Sequence, residues 1–300
     1  MWRMETGRII KGLSSFYYVK NYEDNEVYEC RARGIFRKDS ISPVIGDVVE
    51  MTVVDPVTKK GMIESVKERS SYLFRPPIAN VTKALLIFAV KSPEPNLSLI
   101  DRFIVLAERE RLDITICFNK VDLDTEGKYE DYVKIYERAG YKVISASVKH
   151  DVDFQKIKDE FKDNITVIAG PSGVGKSSLL NKIDPKLNLK TSQISEKLQR
   201  GRHTTRYAQL IELEENALVA DTPGFSSLNL DLIDEVELKE YFVEFHEYDH
   251  ECKFGFKCIH ENEPGCKVKQ AVLDKEIPNQ RYESYLQLLK EIRSDKKRRY

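Results

Sequence analysis

Residues 170–177 of this 300-residue chain read Gly170-Pro171-Ser172-Gly173-Val174-Gly175-Lys176-Ser177 and match the phosphate-binding pattern G-x-x-x-x-G-K-[ST]. An apolar stretch over 165–169 predicts a strand leading into this loop, and residues 178–183 are predicted to continue as a helix. The glycines let backbone N–H groups approach phosphate oxygens, while Lys176 reaches the β and γ phosphates and the Ser177 hydroxyl can coordinate Mg²⁺. A glycine-rich turn that matches by chance is the alternative. The strand and helix on either side favour a nucleoside triphosphate site that extends to Ser178.

A second phosphate-side motif, Asp221-Thr222-Pro223-Gly224, closes another apolar stretch at 217–220. Turns with the pattern D-x-x-G are common and carry little information alone. This one follows a predicted buried strand downstream of a phosphate loop. We therefore expect the Asp221 carboxylate to hold Mg²⁺ and the Gly224 N–H to sense the γ-phosphate.

The tetrapeptide Asn119-Lys120-Val121-Asp122 follows the predicted strand 114–118 and indicates a guanine site. The Asp122 carboxylate can accept hydrogen bonds from N1–H and the 2-amino group of guanine, whereas adenine offers an acceptor at N1 and has no 2-amino group. Asn119 is expected to brace the loops and Lys120 to cover the base plane. GTP is therefore favoured over ATP as the nucleotide.

A further base-side segment, Ser145-Ala146-Ser147, also follows a predicted strand. We expect this segment to supply a backbone N–H to the guanine oxygen, with Ser145 and Ala146 as the predicted nucleotide-binding residues. Together with the tetrapeptide and the phosphate loop, they complete the nucleotide site that the sequence predicts.

Composition limits the class of protein. Hydrophobic residues make up 41% and charged residues 32% of the chain, which is enough apolar material for packed cores. Lys and Arg number 48 against 49 Asp and Glu, so no global basic field draws the chain to nucleic acid. The start of the chain lacks a signal-peptide core, and the longest apolar run, 84–90, is far short of the ~20 residues of a membrane span. We expect a cytoplasmic monomer with no membrane partner.

Secondary-structure signals predict three modules. Short β-rich segments separated by turn residues predict an OB-like barrel over 1–68, with an SH3-like barrel as the alternative. Strands alternating with amphipathic helices predict a parallel α/β domain over 69–228. Segments 236–248 and 282–293 look helical and predict a helical module over 229–300.

Three cysteines and a histidine crowd the last module. Cys252, Cys258, His260 and Cys266 follow the pattern C-x5-C-x-H-x5-C, which supplies the four sulfur and nitrogen ligands of a structural zinc ion. Free surface thiols are the alternative, and His246 and His250 compete as nearby ligands. Cys30 and Cys117 fall in predicted strands and are expected to be small buried hydrophobes. The odd total of five cysteines excludes a disulfide framework.

The order of the motifs is unusual, because Asn119 precedes Gly170 whereas ordinary GTPases carry the phosphate loop first. Both loops follow parallel strands, so a circular permutation would preserve the site while moving the chain ends. The segments NKVD, SAS, GPSGVGKSS, GRHTT and DTPGF, with a barrel before them and a Cys/His cluster after them, closely resemble the RsgA family of circularly permuted GTPases over essentially the whole chain. The RsgA zinc pattern has one residue fewer between its first two cysteines.

The resemblance implies a fold of three parts: an N-terminal OB-like barrel, a circularly permuted P-loop GTPase domain, and a C-terminal helical zinc-binding domain. It also implies hydrolysis of GTP to GDP with Mg²⁺, coupled to late maturation of the small ribosomal subunit, with the barrel and zinc parts holding ribosomal RNA. Aromatic and basic residues of the barrel can stack on or pair with RNA. These candidates are Tyr17, Tyr18, Lys20, Arg31, Arg33 and Arg37.

The segment 199–206 lies between the phosphate loop and Asp221, where a first switch belongs. Thr204 or Thr205 can ligate Mg²⁺, and we favour Thr205. Phe225 stands where many GTPases carry a water-orienting glutamine, so another group or a partner must act on water. His203 is the candidate, a role that the resemblance also implies, and a plain surface histidine is the alternative. A phosphate-loop ATPase or kinase and a non-catalytic GTP-binding RNA module remain alternatives for the whole chain.

Overall fold

The structure is a computed structural model that describes residues 4–13, 15–33, 42–74, 76–188, 209–213, 217–221 and 228–299. The chain divides into two compact units. One unit holds the N-terminal strands together with three strands from later in the chain. The other holds the nucleotide loops and the C-terminal helices.

The N-terminal strands form the predicted barrel. The strands are β1 Met4–Leu13, β2 Phe16–Asn21, β3 Val27–Ala32, β4 Val48–Asp55 and β5 Lys60–Val66. Antiparallel pairs join β1 to β2 and β2 to β3, β3 runs parallel to β5, and β4 pairs with both β5 and β1, which closes the sheet. This order, 1-2-3-5-4-1, confirms the OB-like fold. A hairpin of β6 Tyr72–Phe74 and β7 Pro77–Ala79 follows.

Strand β1 was not predicted, because charged residues interrupt its apolar ones. In the barrel Ile9 is completely buried, while its neighbour Arg8 is half-buried and donates to the Gly46 carbonyl at 2.8 Å. The alternation required of a half-buried strand is therefore present, but it covers too few apolar positions to stand out in the sequence.

Three further strands extend the first unit. They are β11 Ile165–Ala169, β12 Gln209–Glu212 and β13 Leu218–Asp221. β11 runs parallel to β13, and β12 runs antiparallel to β13. The barrel joins this set directly, since Lys11 of β1 pairs with Gln209 of β12 and Lys20 of β2 forms an ion pair with Glu212.

The second unit contains an α/β layer, as predicted. Its strands are β8 Lys83–Ala89, β9 Asp113–Asn119 and β10 Lys142–Ser145, in the order β10-β9-β8. β9 and β10 are parallel, with Lys142 opposite Thr115. Its helices are α1 Leu97–Arg109, α2 Tyr129–Arg138, α3 Phe154–Asp159 and α4 Lys176–Ile183. Every residue of β8 is buried, which explains the unbroken apolar run over its residues 84–89.

The C-terminal part of this unit is helical. Its helices are α5 His246–Asp249, α6 Lys267–Leu273 and α7 Asn279–Arg299. The single helix predicted over 236–248 is wrong: two 3₁₀ turns, Leu238–Tyr241 and Val243–Phe245, precede α5. Phe242 lies between the two turns and Phe245 ends the second; both side chains are completely buried, and their rings stack with centroids 5.3 Å apart. None of the helices in the described ranges has the length and apolar character needed to cross a membrane.

Candidate functional site

The phosphate loop fits its surroundings only with glycine at two positions. Gly170 has φ 140°, and a Cβ there would lie 2.0 Å from the Ile87 carbonyl oxygen of β8. Gly175 has φ 108°, and a Cβ there would lie 2.4 Å from Nδ2 of Asn119. The loop therefore turns closely over the end of β8 and against the predicted base-recognition motif.

Lys176 begins helix α4 and points back across the loop. Its ammonium group donates to the carbonyls of Gly170 at 2.7 Å and Pro171 at 2.5 Å. The residue is 6% exposed, and burial lowers the pKa of Lys176 to about 8. A phosphate placed in the loop would restore the charged form. The next residue, Ser177, is also buried, and Ser172 and Ser178 are exposed.

Asn119, the last residue of β9, connects the phosphate loop to the loop after β10. Its Nδ2 donates to the Val174 carbonyl at 2.8 Å, and its Oδ1 accepts from the Val148 N–H at 3.1 Å. Lys120, with φ 64°, donates to the carbonyl of Gly173 at 2.7 Å. The structure thus brings the two loops predicted from separate parts of the sequence into one site.

The Asp122 carboxylate is oriented by residues from the loop after β10. Ser147 Oγ donates to Asp122 Oδ1 at 2.5 Å, and His150 Nε2 lies 3.6 Å from Asp122 Oδ2. The Val121 N–H donates to the Ala146 carbonyl at 3.1 Å, and the Ala146 N–H donates to the Phe118 carbonyl at 2.8 Å.

The contacts that the Ser147 hydroxyl and His150 make with Asp122 were not predicted. The signal for Ser147 was present in the sequence, because it is the third residue of the Ser145-Ala146-Ser147 segment and its hydroxyl is the one within reach of Asp122. His150 carries no motif signal. Its place beside Asp122 depends on how the loop closes, with paired hydrogen bonds between the backbones of Ser147 and Val152.

Several predicted site residues lie outside the described part of the chain. These are Arg37 of the predicted RNA-contacting set, and His203, Thr204, Thr205, Gly224 and Phe225 of the predicted nucleotide site. Asp221 ends β13, where its backbone pairs with Gln209. The roles expected of these residues in Mg²⁺ binding, γ-phosphate sensing and water orientation stay predictions.

The Cys/His cluster is assembled and buried. Cys252, Cys258, His260 and Cys266 place their ligand atoms within 4.8 Å of one another. The Cys252 and Cys266 sulfurs are 3.9 Å apart, and His260 Nδ1 lies 3.7 Å from the first and 3.4 Å from the second. A tetrahedron with Zn–S bonds of ~2.3 Å has edges of about 3.8 Å, so these four residues fit a zinc ion.

The chemistry of the cluster also suits zinc. Burial lowers the pKa of His260 to about 4, which keeps its imidazole neutral and its lone pair available. Backbone N–H groups of Lys267 and Lys269 donate to the sulfurs of Cys252 and Cys266 at 3.3 Å and 3.4 Å, an arrangement that stabilises thiolates.

The loop that carries His260 is fixed to α7. Tyr282 and Tyr285 donate their hydroxyls to the carbonyls of His260 and Ile259, each at 2.6 Å. The two other histidines considered as ligands are not part of the cluster. His246 and His250 are exposed and lie beside Glu240 and Glu251 respectively.

Known proteins resemble this chain along nearly its full length. The RsgA N-terminal domain model matches residues 6–63, and the RsgA GTPase model matches residues 66–231. The chain belongs to the RsgA family.

Curated RsgA relatives cover this chain almost completely. The small ribosomal subunit biogenesis GTPase RsgA of Alkaliphilus metalliredigens is 46% identical over 297 residues, which is 99% of this chain and 100% of the relative. The protein of the same name from Clostridium botulinum is 45% identical over 294 residues, covering 98% and 99%.

Solved structures support the same RsgA fold. YjeQ from Thermotoga maritima superposes with a TM-score of 0.85 and 37% identity, over 97% of this chain and 99% of YjeQ. YloQ, described as a circularly permuted GTPase, superposes with a TM-score of 0.82 and 41% identity, over 98% and 96%. The predicted permuted order, with the base motif ahead of the phosphate loop, is therefore confirmed as a property of the fold.

Proposed function

We propose that this chain binds GTP between its phosphate loop and the Asn119–Asp122 motif, hydrolyses it to GDP and phosphate, and acts on the small ribosomal subunit during late maturation. The observation that carries the nucleotide assignment is the pair of hydrogen bonds by which Asn119 joins the phosphate loop to the loop supporting Asp122. The ribosomal assignment rests on the names of the RsgA relatives.

Each described side chain has a defined task in nucleotide binding. Lys176 neutralises the β and γ phosphates, whose charge restores its protonated form. Asp122 reads the N1–H and 2-amino edge of guanine, oriented by the Ser147 hydroxyl. Lys120, held over the phosphate loop through Gly173, covers one side of the base.

Mg²⁺ bound with GTP neutralises charge on the β and γ oxygens. The Ser177 hydroxyl at the start of α4 is its proposed ligand, joined by Thr205 and Asp221 on the basis of the sequence. His203 is proposed to orient the attacking water, because Phe225 cannot hydrogen-bond to water. The sequence motifs, including Gly224 as γ-phosphate sensor, support these assignments.

We assign a structural role to the zinc ion. The four protein ligands would complete a tetrahedral coordination and would leave no position for substrate. Cys252, Cys258, His260 and Cys266 would hold it.

We assign three modules to this activity: 1–68 as an RNA-binding barrel, 69–228 as the GTPase domain and 229–300 as the zinc-binding domain. The family matches over 6–63 and 66–231 support the first boundary. In the barrel, Arg31 and Arg33 are exposed and are proposed to contact RNA phosphates. Arg31 lies 4.7 Å over the ring of Phe16, and Arg33 forms an ion pair with Glu64 at 2.9 Å. The protein is proposed to work as a cytoplasmic monomer on ribosomal RNA.

A change of base preference tests the nucleotide assignment. Asp122→Asn replaces an acceptor with an amide that can donate to the 2-oxo group of xanthine. We expect GDP affinity to fall and XDP affinity to rise, measured by displacement of a fluorescent nucleotide. Equal binding of ADP and GDP by the wild-type protein would favour the ATPase or kinase alternative instead.

Turnover on ribosomal subunits tests the cellular role. GTP hydrolysis is measured with and without purified small subunits, with large subunits as the control. We expect stimulation by small subunits alone. Absence of turnover in every condition would favour the non-catalytic RNA-binding alternative, and stimulation by both subunits would argue against small-subunit specificity.

A further inference from the structure

The peptide groups on either side of Val148 are held by two side chains. The Val148 N–H donates to Asn119 Oδ1 at 3.1 Å, and its carbonyl accepts from the ammonium group of Lys182. The Val148 side chain is itself buried. One residue of the base-side loop is thus fixed from β9 by Asn119 and from helix α4 by Lys182.

All the contacts described for the end of the Lys182 side chain are with this loop or the helix that follows it. Besides the Val148 carbonyl, its ammonium group lies 2.6 Å from Asp151 Oδ1 and 4.9 Å from the ring centre of Phe154. Lys182 is on α4, the helix that begins at the phosphate loop with Lys176. It therefore joins the phosphate-binding helix to the base-side loop by charge, hydrogen bond and ring contact.

The loop that Lys182 holds is the one that orients Asp122. Backbone hydrogen bonds between Ser147 and Val152, 3.2 Å and 3.1 Å long, close it into a small unit. Within this unit the Ser147 hydroxyl donates to Asp122 and accepts from the His150 N–H at 3.3 Å. A shift of the Val148 peptide would move the neighbouring Ser147 and with it the donor that sets the direction of the Asp122 carboxylate.

We propose that Lys182 is a positioning residue for guanine recognition, which acts by fixing the Val148 peptide so that Ser147 aims Asp122 at the base. Lys182 touches neither phosphate nor base in this scheme. The inference rests on the proposed function, because it concerns how the same site distinguishes guanine. It adds a determinant of base selectivity that lies on the phosphate-binding helix.

The ratio of GDP to IDP affinity tests this role. IDP keeps N1–H but lacks the 2-amino group, so the ratio measures how well Asp122 reads the guanine edge. Loss of charge-assisted hydrogen bonding in Lys182→Met is expected to lower GDP affinity about tenfold and IDP affinity by clearly less. Lys182→Arg, which keeps a charged donor, should retain most of the wild-type ratio, and Lys186→Met serves as a matched control at an exposed lysine.

The opposite results are equally defined. A GDP-to-IDP affinity ratio in Lys182→Met equal to that of the wild type would overturn the positioning role. If both affinities fall by the same factor, the result indicates a general effect on α4. Thermal melting identifies variants that fail to fold, and Lys182→Gln, which shortens the side chain but keeps a helix-forming residue, then decides by the same ratio. A wild-type protein with no preference for GDP over IDP would contradict the proposed function itself, a result distinct from a selective wild type with an unaffected Lys182 variant.

Discussion

The Arg281 guanidinium donates to the Asp101 carboxylate at 2.7 Å, and the two side chains are only 0% and 1% exposed. Glu244 accepts from the same guanidinium at 2.7 Å. The buried cation on α7 is therefore held by one carboxylate from α1 and one from the 3₁₀ turn Val243–Phe245. Aromatic rings line the site, namely Tyr136, Tyr141 and Phe242. The C-terminal helix is therefore anchored on a helix of the α/β layer.

Removal of this cation should be strongly destabilising. Arg281→Met leaves Asp101 and Glu244 buried without their partner, and we expect the free energy of unfolding to fall by about 3–5 kcal/mol. Chemical denaturation measures it. Arg293→Met is the control on the same helix, because its pairs with Glu235 and Glu261 are about one-third exposed and should contribute about 1 kcal/mol or less. A similar fall in the free energy of unfolding in both variants would contradict the larger contribution expected of the buried ion pairs.

Zinc removal should destabilise the C-terminal helices. Elemental analysis is expected to find one zinc per chain, and Cys258→Ser should lower the zinc content and the melting temperature together, because cluster binding energy contributes to folding. Cys30→Ala is the control, since Cys30 is a buried thiol of the barrel outside the cluster. A chelator that leaves the melting curve unchanged would argue against a structural zinc.

Nucleotide affinity should depend on the protonation of Lys176. Its pKa of about 8 in the unliganded protein means that binding of phosphate must restore a proton above that pH. Between pH 7.0 and 8.5 the protonated fraction falls about fourfold, and we expect GDP affinity to fall by about the same factor. Isothermal titration in buffers of different ionisation enthalpy should detect the proton uptake. A flat profile would show that Lys176 keeps its charge without nucleotide.

The lowered pKa of Lys176 affects stability in the opposite direction: GDP affinity is expected to fall as pH rises, whereas the stability of the unliganded protein is expected to increase. The ordinary lysine pKa of 10.5 applies to the unfolded chain, so between pH 8 and 10.5 the unfolded chain holds more of this proton than the folded one. The contribution of Lys176 to the free energy of unfolding of the unliganded protein therefore rises with pH across that window. Lys176→Met should remove this part of the pH dependence.

Glycine at position 170 should be essential for nucleotide binding. A Cβ in Gly170→Ala would meet the Ile87 carbonyl oxygen at 2.0 Å, and the loop must move away from the end of β8 to avoid it. We expect a loss of GDP affinity of at least about 100-fold, because misplaced backbone N–H groups no longer converge on the phosphates. Gly140→Ala is the control: Gly140 also has positive φ, at 92°, but a Cβ there has nothing within 4 Å. Equal effects on GDP affinity would indicate general instability.

Much of the fold was predictable because its signals are local. The continuous apolar run of β8 and the turn residues between the barrel strands each follow from a few adjacent residues. The helix expected over 236–248 failed because its apolar spacing fits both an α-helix and successive 3₁₀ turns, and packing of Phe242 and Phe245 against Tyr285 selects the turns. The spacing of apolar residues alone therefore does not distinguish an α-helix from 3₁₀ turns in this segment.

The candidate site also contains residues that short sequence patterns predict and residues whose role depends on contacts in the folded chain. The phosphate loop and the Asn119–Asp122 motif were visible as short patterns, since the backbone geometry that binds phosphate needs glycines at set positions. The side-chain roles of Ser147, His150 and Lys182 were missed, because each depends on contacts between segments that are 25 to 34 residues apart in the chain. Such contacts depend on the folded arrangement of β9, β10 and α4.

The pairing of Lys11 with Gln209 makes the barrel part of the sheet that contains β13. A fragment that starts after residue 68 would leave β12 as an unprotected edge strand, with backbone donors and acceptors open to another chain. We expect such a fragment to self-associate. A low GTPase activity measured on it would then reflect aggregation and not the loss of a barrel function. Substitutions on the barrel surface, such as at Arg31 or Arg33, keep that edge covered and give the cleaner measure of what the barrel contributes.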